Sequence, residues 1–151
     1  MESQNSPDVR WKQRFHNYRR AFGLLHEALE DRSIEEYSDL EREGIIRRFE
    51  YTFELGWKTF KDYLEFSGVQ LTEATPRKVI KECAAANIFA EAEIVPEIFM
   101  DMMLSRNALS HTYDFEQFKR VIVKIKEQYL GELEKAYLYF MDKERNGLIS
   151  V

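Results

Sequence analysis

Residues 38–68, SDLEREGIIRRFEYTFELGWKTFKDYLEFSG, decide the fold of this chain because they predict one long amphipathic helix. Ser38 followed three residues later by Glu41 is a capping-box signature for its start, and Gly68 predicts its end in a left-handed cap. Gly56 costs about 1 kcal/mol relative to alanine inside an exposed helix, so it predicts a close helix crossing. The predicted buried stripe is Ile45, Phe49, Thr52, Phe53, Gly56, Phe60 and Tyr63.

A helix is also predicted upstream of this stretch. Ser6 is a suitable N-cap and Pro7 fits the first helical position. Apolar residues then recur at alternating steps of four and three and form one core-facing stripe: Trp11, Phe15, Tyr18, Phe22, Leu25 and Leu29. The flanks are basic at Arg10, Lys12, Arg14, Arg19 and Arg20, which indicates either a solvated face or a contact with an acidic partner or an RNA backbone.

Three further helices are predicted downstream. Residues 75–87 begin with a threonine cap and a proline at the first helical position, and residues 94–109 carry a proline within the first turn. A last helix opens with Asp114 and Gln117 as an N-cap pair and extends to about Lys143. Five helices with short connections predict an all-α fold, an antiparallel up-and-down bundle of about five helices.

Composition agrees with a helical domain of ordinary size. The 151 residues fit a single domain, 1–151, with 1–6 and 146–151 expected to be flexible. Hydrophobic residues make up 44% and include 11 Phe, 8 Tyr and 2 Trp, while 6 Gly and 3 Pro leave few helix breaks. The chain therefore has enough apolar material for one core.

Charge and cysteine content exclude several kinds of protein. A net charge of −5 argues against a protein that coats nucleic acid, so any contact with RNA must be local. The single Cys83 excludes an internal disulfide and a cysteine-based zinc cluster, and we expect no metal site and no cofactor. No apolar run approaches the ~20 residues of a membrane span. We therefore expect a soluble cytoplasmic protein without membrane contact.

The junction between the last two predicted helices gathers polar side chains in the stretch 106–114, RNALSHTYD. Arg106 and His111 are five residues apart, so on one uninterrupted helix they would diverge by roughly 140°. This spacing predicts either a helix end at this point or a site where two chains meet. Asn107 and Tyr113 complete the candidate site.

These residue types suit phosphate chemistry. An arginine guanidinium is permanently charged and its planar fork matches a phosphate, while histidine donates or accepts a proton near neutral pH. In RNA the 2′-hydroxyl can attack the adjacent phosphorus, so Arg106 and His111 could support strand cleavage without a metal. Asn107 could orient the phosphate or the sugar.

Structural alternatives remain open for each of these residues. Arg106 could pair with a carboxylate, His111 could cap its helix, and Tyr113 could pack inside the bundle. The long helix also carries a charged face with an indole, formed by Glu50, Glu54, Trp57 and Lys58. Because Glu54 and Lys58 are a favourable i,i+4 pair, this face is either ordinary surface pairing or a partner-facing, site-supporting surface.

The arrangement R-N-x-x-S-H-x-Y at 106–113 resembles the HEPN superfamily, and within it the nucleotidyltransferase substrate-binding proteins. Trp11, Phe15, Asn17 and Tyr18 resemble the family's opening helix, and Pro76 with Arg77 its P-R helix start. The segment 49–58 resembles its F-E-x-x-F-E-L-x-W-K motif, except that Gly56 stands where the family commonly has alanine. The similarity spans nearly the whole chain.

The resemblance implies a helical bundle, a homodimer whose two arginine and histidine pairs face one cleft, and a complex with a small MNT-type nucleotidyltransferase. In related HEPN toxins the arginine and histidine carry metal-independent ribonuclease activity, and a tyrosine two residues after the histidine receives AMP from the MNT antitoxin. Those roles correspond here to Arg106, His111 and Tyr113, with Asn107 assisting.

Two functions are therefore predicted. The first is a HEPN toxin-like ribonuclease of a two-component toxin–antitoxin system, acting on RNA and silenced by AMPylation of Tyr113. The second is a non-catalytic subunit that presents a substrate to a separate nucleotidyltransferase. The sequence does not decide whether this chain is an enzyme.

Overall fold

A computed structural model describes residues 6–30, 32–110 and 112–149, and these residues form helices and no strands. The helices are α1 (Pro7–Leu29), α2 (Asp39–Phe66), α3 (Pro76–Ala85), α4 (Ile88–Ala92), α5 (Pro96–Leu109) and α6. Helix α6 is continuous in three segments: Phe115–Lys124, a π-helical turn Ile125–Tyr129, and Leu130–Ile149. A short 3-10 turn, Ile34–Glu36, precedes α2. The predicted all-α antiparallel bundle is confirmed.

The caps predicted for α1 and α2 are present. The Ser6 side chain accepts a hydrogen bond from the Val9 amide at 3.3 Å. Ser38 and Glu41 form a reciprocal capping box, since each side chain accepts from the other's backbone amide. Local sequence therefore determines where both long helices begin.

The close crossing predicted at Gly56 is also present. A Cβ added to Gly56 would lie 3.1 Å from Cε1 of the Tyr18 ring, so α1 approaches α2 more closely than a side chain allows without adjustment. The Tyr18 hydroxyl donates a hydrogen bond to the Leu133 carbonyl at 2.6 Å. Tyr18 therefore ties α1 to α6 while its ring packs against α2.

The segment between α3 and α5 differs from the prediction. Helix α3 ends at Ala85 and Asn87 takes a left-handed conformation with φ of 64°. A second left-handed residue, Glu93, closes the short helix α4 that lies between them, and this helix was not predicted. Ile88 and Phe89 of α4 are buried. Two left-handed residues thus divide this region, and α5 begins at Pro96 rather than at Ile94.

The last helix is longer than predicted. It continues to Ile149 instead of ending near Lys143. The Tyr129 ring in its π turn stacks on Phe49 of α2 with centroids 5.5 Å apart, and its hydroxyl lies 2.8 Å from Ser105 Oγ on α5. This buried contact joins α2, α5 and α6. Of the residues predicted to be flexible, 1–6 and 146–151, residues 1–5, 150 and 151 lie outside the described part of the chain.

The core of the bundle is aromatic and continuous. Phe60 of α2 contacts Phe89, Phe99 and Phe140, which belong to three other helices. Burying these rings accounts for much of the driving force of folding. Among the described helices, none is both long and apolar enough to cross a membrane.

Candidate functional site

Arg106 lies in the last turn of α5 and faces α2. Its Nη1 donates a hydrogen bond to Glu54 Oε2 at 2.8 Å, and its guanidinium lies 5.4 Å from the centroid of the Phe53 ring. The side chain is 21% exposed. Two contacts from α2 therefore hold the charged end of Arg106 at the surface.

The Glu54 carboxylate is the centre of this arrangement. Trp57 Nε1 donates to Oε2 at 3.0 Å, and Lys58 Nζ lies 3.1 Å from Oε1. Partial burial alone raises the pKa of Glu54, but hydrogen bonds from Trp57 and Lys58 and the positive charges of Arg106 and Lys58 outweigh it and lower the pKa. Glu54 is therefore an ionised anchor with both oxygens occupied.

Arg106 keeps unused hydrogen-bonding capacity. Its Nε is buried and has no hydrogen-bond partner among the described residues. The exposed fraction of the side chain, 21%, therefore belongs to its other atoms. Glu54 engages Nη1 of a fork that carries five N–H donors. A guanidinium fixed on one side with donors remaining is suited to a phosphate.

Asn107 and Tyr113 are the other described members of the predicted site, and both face solvent. Asn107 makes no side-chain hydrogen bond to the described part of the chain. Tyr113 is 71% exposed, and the Arg47 guanidinium lies 6.0 Å from its ring centroid. The interpretation of Tyr113 as a residue packed inside the bundle is therefore wrong.

The local sequence explains why the chain turns at this point. The Ser110 amide and its Oγ both donate to the Arg106 carbonyl, at 3.2 and 3.0 Å, and α5 ends at Leu109. The Asp114 side chain then accepts hydrogen bonds from the amides of Glu116 and Gln117, which begins α6. The helix end predicted from the five-residue spacing is present. His111 lies outside the described residues, so its role stays a prediction.

Two of the predicted residues, Arg106 and Tyr113, contact one exposed edge of α2. We call Arg47, Tyr51, Glu54 and Lys58 the α2 strip, because steps of four and three place them on one helix face. Glu54 contacts Arg106, while Arg47 contacts Tyr113 and pairs with Glu50 at 2.7 Å. Seven residues separate Arg47 from Glu54, about 10 Å along the helix. Of the predicted face, Glu54 contacts Arg106, Glu50 and Lys58 form surface ion pairs, and Trp57 is buried. The role of this face as a partner-facing or site-supporting surface stays a prediction.

Sequence reasoning missed Arg47 and Tyr51. Their helical spacing from Glu54 is visible in the sequence, but only the contact between Arg47 and Tyr113 connects them with the site. Among the described residues, no three His, Cys, Asp or Glu side chains are placed to hold a metal ion together.

Comparison with known proteins identifies the family. The model of the family described as nucleotidyltransferase substrate binding protein like matches residues 13–141. The chain belongs to this HEPN-like family. The family name implies a nucleotidyltransferase as partner.

A crystal structure of a protein from Thermus thermophilus is similar to this member of the family. It is 30% identical, with a TM-score of 0.63, and the alignment covers 79% of this chain and 94% of the Thermus chain. Comparison with curated proteins gives no match.

Proposed function

We propose that this chain is the toxin-like subunit of a two-component HEPN/MNT toxin–antitoxin system and that it cleaves RNA without a metal ion. The observation that supports this most directly is the Arg106 guanidinium, held at the surface by Glu54 with donors to spare. It lies in the same turn as the exposed Asn107, at a junction whose sequence also supplies His111.

In the proposed reaction the 2′-oxygen of a ribose attacks the neighbouring phosphorus. A base removes the 2′-proton, the bond from phosphorus to the 5′-oxygen breaks, and the leaving oxygen gains a proton. The products are a 2′,3′-cyclic phosphate and a 5′-hydroxyl. Arg106 stabilises the extra negative charge on the phosphorane, and His111 transfers protons. Asn107 orients the phosphate or the sugar.

Glu54 is a positioning residue in this scheme. Its carboxylate fixes the Nη1 edge of the Arg106 guanidinium and is itself held by Trp57 and Lys58. An arginine placed in advance of the reaction stabilises charge without the cost of reorganising in the transition state. Glu54→Gln should therefore lower the cleavage rate, because an uncharged amide holds the Arg106 guanidinium less firmly than a carboxylate.

The proposed regulation acts on Tyr113. Its oxygen attacks the α-phosphorus of ATP on the MNT-type nucleotidyltransferase, pyrophosphate leaves, and the phenolic proton is lost. The open position of the ring supports access by a second protein. An added phosphodiester places negative charge within reach of Arg47, close to the surface where the RNA phosphate must bind. AMPylation would thereby block the site.

Expression in cells tests the toxin proposal. The chain alone should arrest growth, and coexpression of the nucleotidyltransferase encoded beside it should relieve the arrest. Arg106→Ala should abolish toxicity, whereas Arg77→Ala, on α3, should keep it. Normal growth with the wild-type chain at full expression contradicts the proposal.

Mass spectrometry tests the regulation separately. Incubation with the cognate nucleotidyltransferase and ATP should add the mass of AMP to the wild-type chain and leave Tyr113→Phe unchanged. Phenylalanine keeps the ring, so the comparison isolates the hydroxyl. An unmodified wild-type chain would remove AMPylation from the scheme but not RNA cleavage.

The alternative is a non-catalytic subunit that presents a substrate to the nucleotidyltransferase. The pairing of Arg106 with Glu54 favours it, because a guanidinium engaged with a carboxylate can serve structure alone. This function predicts a stable complex with the nucleotidyltransferase and no toxicity of the chain by itself. RNA cleavage that persists without any such complex contradicts it.

A further inference from the structure

A pocket lies between α1 and α2, and one of its lining residues, Tyr51, belongs to the α2 strip. It has a volume of about 140 Å³ and is lined by Asn17, Arg20, Ala21, Leu24 and Tyr51. Tyr51 belongs to the α2 strip, three residues before Glu54 and four after Arg47, so its side chain neighbours both. Tyr51 is therefore shared by the pocket and the α2 strip, whose Glu54 and Arg47 contact Arg106 and Tyr113.

The walls of the pocket combine three kinds of chemistry. Tyr51 is 60% exposed and Leu24 is 48% exposed, which gives an aromatic and an aliphatic surface open to solvent. The Asn17 amide makes no hydrogen bond to any residue that the structure describes. A flat apolar surface beside a free amide matches an aromatic ring with a polar edge.

One arginine lines the same pocket and a second lies next to it. Arg20 has no carboxylate within 4.0 Å in the described part of the chain. Arg48 donates from Nη1 to the Leu24 carbonyl at 2.8 Å and likewise has no acidic partner among the described residues. These guanidinium groups favour an anionic ligand, although the chain as a whole carries a net charge of −5.

We propose that this pocket binds an unpaired nucleobase, which stacks on Tyr51 while Asn17 hydrogen-bonds its edge and Arg20 binds the adjoining phosphate. Stacking on an exposed aromatic ring accepts every base, because each base has a π-face. The inference rests on the proposed function, since it supplies a nucleotide site on the path of a strand that reaches Arg106. It names single-stranded RNA as the substrate class.

Binding is measured in the Arg106→Ala variant, so that the RNA stays intact. The probe is a short single-stranded RNA that carries 2-aminopurine, whose fluorescence falls when the base stacks. The expected result is a saturable decrease in fluorescence. Tyr51→Ala should weaken binding about tenfold and remove the decrease, whereas Tyr51→Trp should retain both. Leu138→Ala, an exposed apolar residue on α6, is the matched control and should bind as before.

Further arms identify the contacts and the source of the base. Arg20→Ala should weaken RNA binding. It should also reduce the slope of the logarithm of the binding constant against the logarithm of salt concentration by about one, because one phosphate contact is lost. A duplex of the same sequence should bind more weakly than the single strand. Free AMP that displaces the RNA at comparable concentration would also support a nucleobase pocket and would identify a mononucleotide as its ligand.

Two results overturn the inference. One is unchanged RNA and AMP binding by Tyr51→Ala, with folding checked by circular dichroism. The other is dissociation of an oligomer in Tyr51→Ala, which would make Tyr51 a contact between subunits. If Tyr51→Ala binds RNA as wild type does and the wild-type chain cleaves RNA, the pocket is refuted and the ribonuclease function is not. If RNA binding depends on Tyr51 but the wild-type chain does not cleave RNA, the ribonuclease function is refuted and the pocket is not.

Discussion

At the scale of single residues, the Glu54 carboxylate determines how the site is built. One side chain accepts from Trp57, pairs with Lys58 and holds Arg106. The i,i+4 pair with Lys58 was predictable from the sequence. The pairing with Arg106 was not, since 52 residues separate the two and only the packing of α5 on α2 brings them together.

The lowered pKa of Glu54 predicts a pH-dependent contribution to stability. Because the folded-state pKa lies below the unfolded value of about 4.3, the contribution is fully present above that value and is lost as the pH falls through the folded-state pKa. Glu54→Gln should lower the free energy of unfolding at pH 7, because the ion pair between Glu54 and Arg106 is lost. The change should be only on the order of 1 kcal/mol, since solvent partly screens this pair. The difference from wild type should shrink below about pH 4.

Denaturant unfolding at several pH values measures this difference. Glu134→Gln is the matched control, because Glu134 is exposed and has no ionic partner among the described residues. A destabilisation by Glu54→Gln that is the same at pH 3 and pH 7 contradicts the ionic anchor.

At the scale of helices, the close approach of α1 to α2 predicts that replacing glycine by alanine changes stability differently at Gly56 than at Gly131. Gly131 in α6 has no atom within 4 Å of an added Cβ, so Gly131→Ala should stabilise the protein by about 0.5–1 kcal/mol through helix propensity. At Gly56 the same substitution meets the Tyr18 ring at 3.1 Å, and the hydrogen bond to Leu133 restrains that ring. Gly56→Ala should therefore gain less or lose stability.

Thermal unfolding of the two variants gives the comparison directly. The Tm of Gly131→Ala should exceed the Tm of Gly56→Ala. An equal rise in the Tm of both variants would show that the Tyr18 ring moves aside without loss of stability, which contradicts the prediction.

Helix starts followed from local sequence, whereas other boundaries required tertiary information. Ser6, Ser38 and Asp114 each carry an oxygen that caps the first turn, so these starts were predictable. The end of the third helix near Asn87 was predicted, but its left-handed backbone was not, because that conformation leaves a weak signal at a residue other than glycine. The five-residue helix that follows was missed for the same reason.

At the scale of the whole molecule, the proposed function predicts a homodimer. The resemblance implies a cleft to which both chains contribute an arginine and a histidine, while one chain provides Arg106 and Tyr113 on a single exposed edge. Analytical ultracentrifugation should give a mass of two chains at micromolar concentration. A strict monomer contradicts a composite site, even where the bundle itself is intact.

The overall architecture was largely predictable, and the site was only partly so. Amphipathic periodicity over α1 and α2 predicts an antiparallel helix pair, and the structure confirms it. The positions of Arg106, Asn107 and Tyr113 at the α5–α6 junction followed from the helix end and the Asp114 cap. The α2 strip could not be predicted in this way, because the spacing of polar residues on a helix surface is the same in a functional site and in a solvated face.

RNA cleavage in the presence of a metal chelator tests the central claim most directly. The purified chain should convert single-stranded RNA into fragments with 2′,3′-cyclic phosphate and 5′-hydroxyl ends, and should leave the same sequence uncut when every 2′-hydroxyl is removed. Arg106→Ala and His111→Ala should each lose cleavage by at least about a hundredfold, as expected for loss of charge stabilisation or proton transfer. Intact RNA with the wild-type chain, or cleavage by either variant at the wild-type rate, would contradict the proposal.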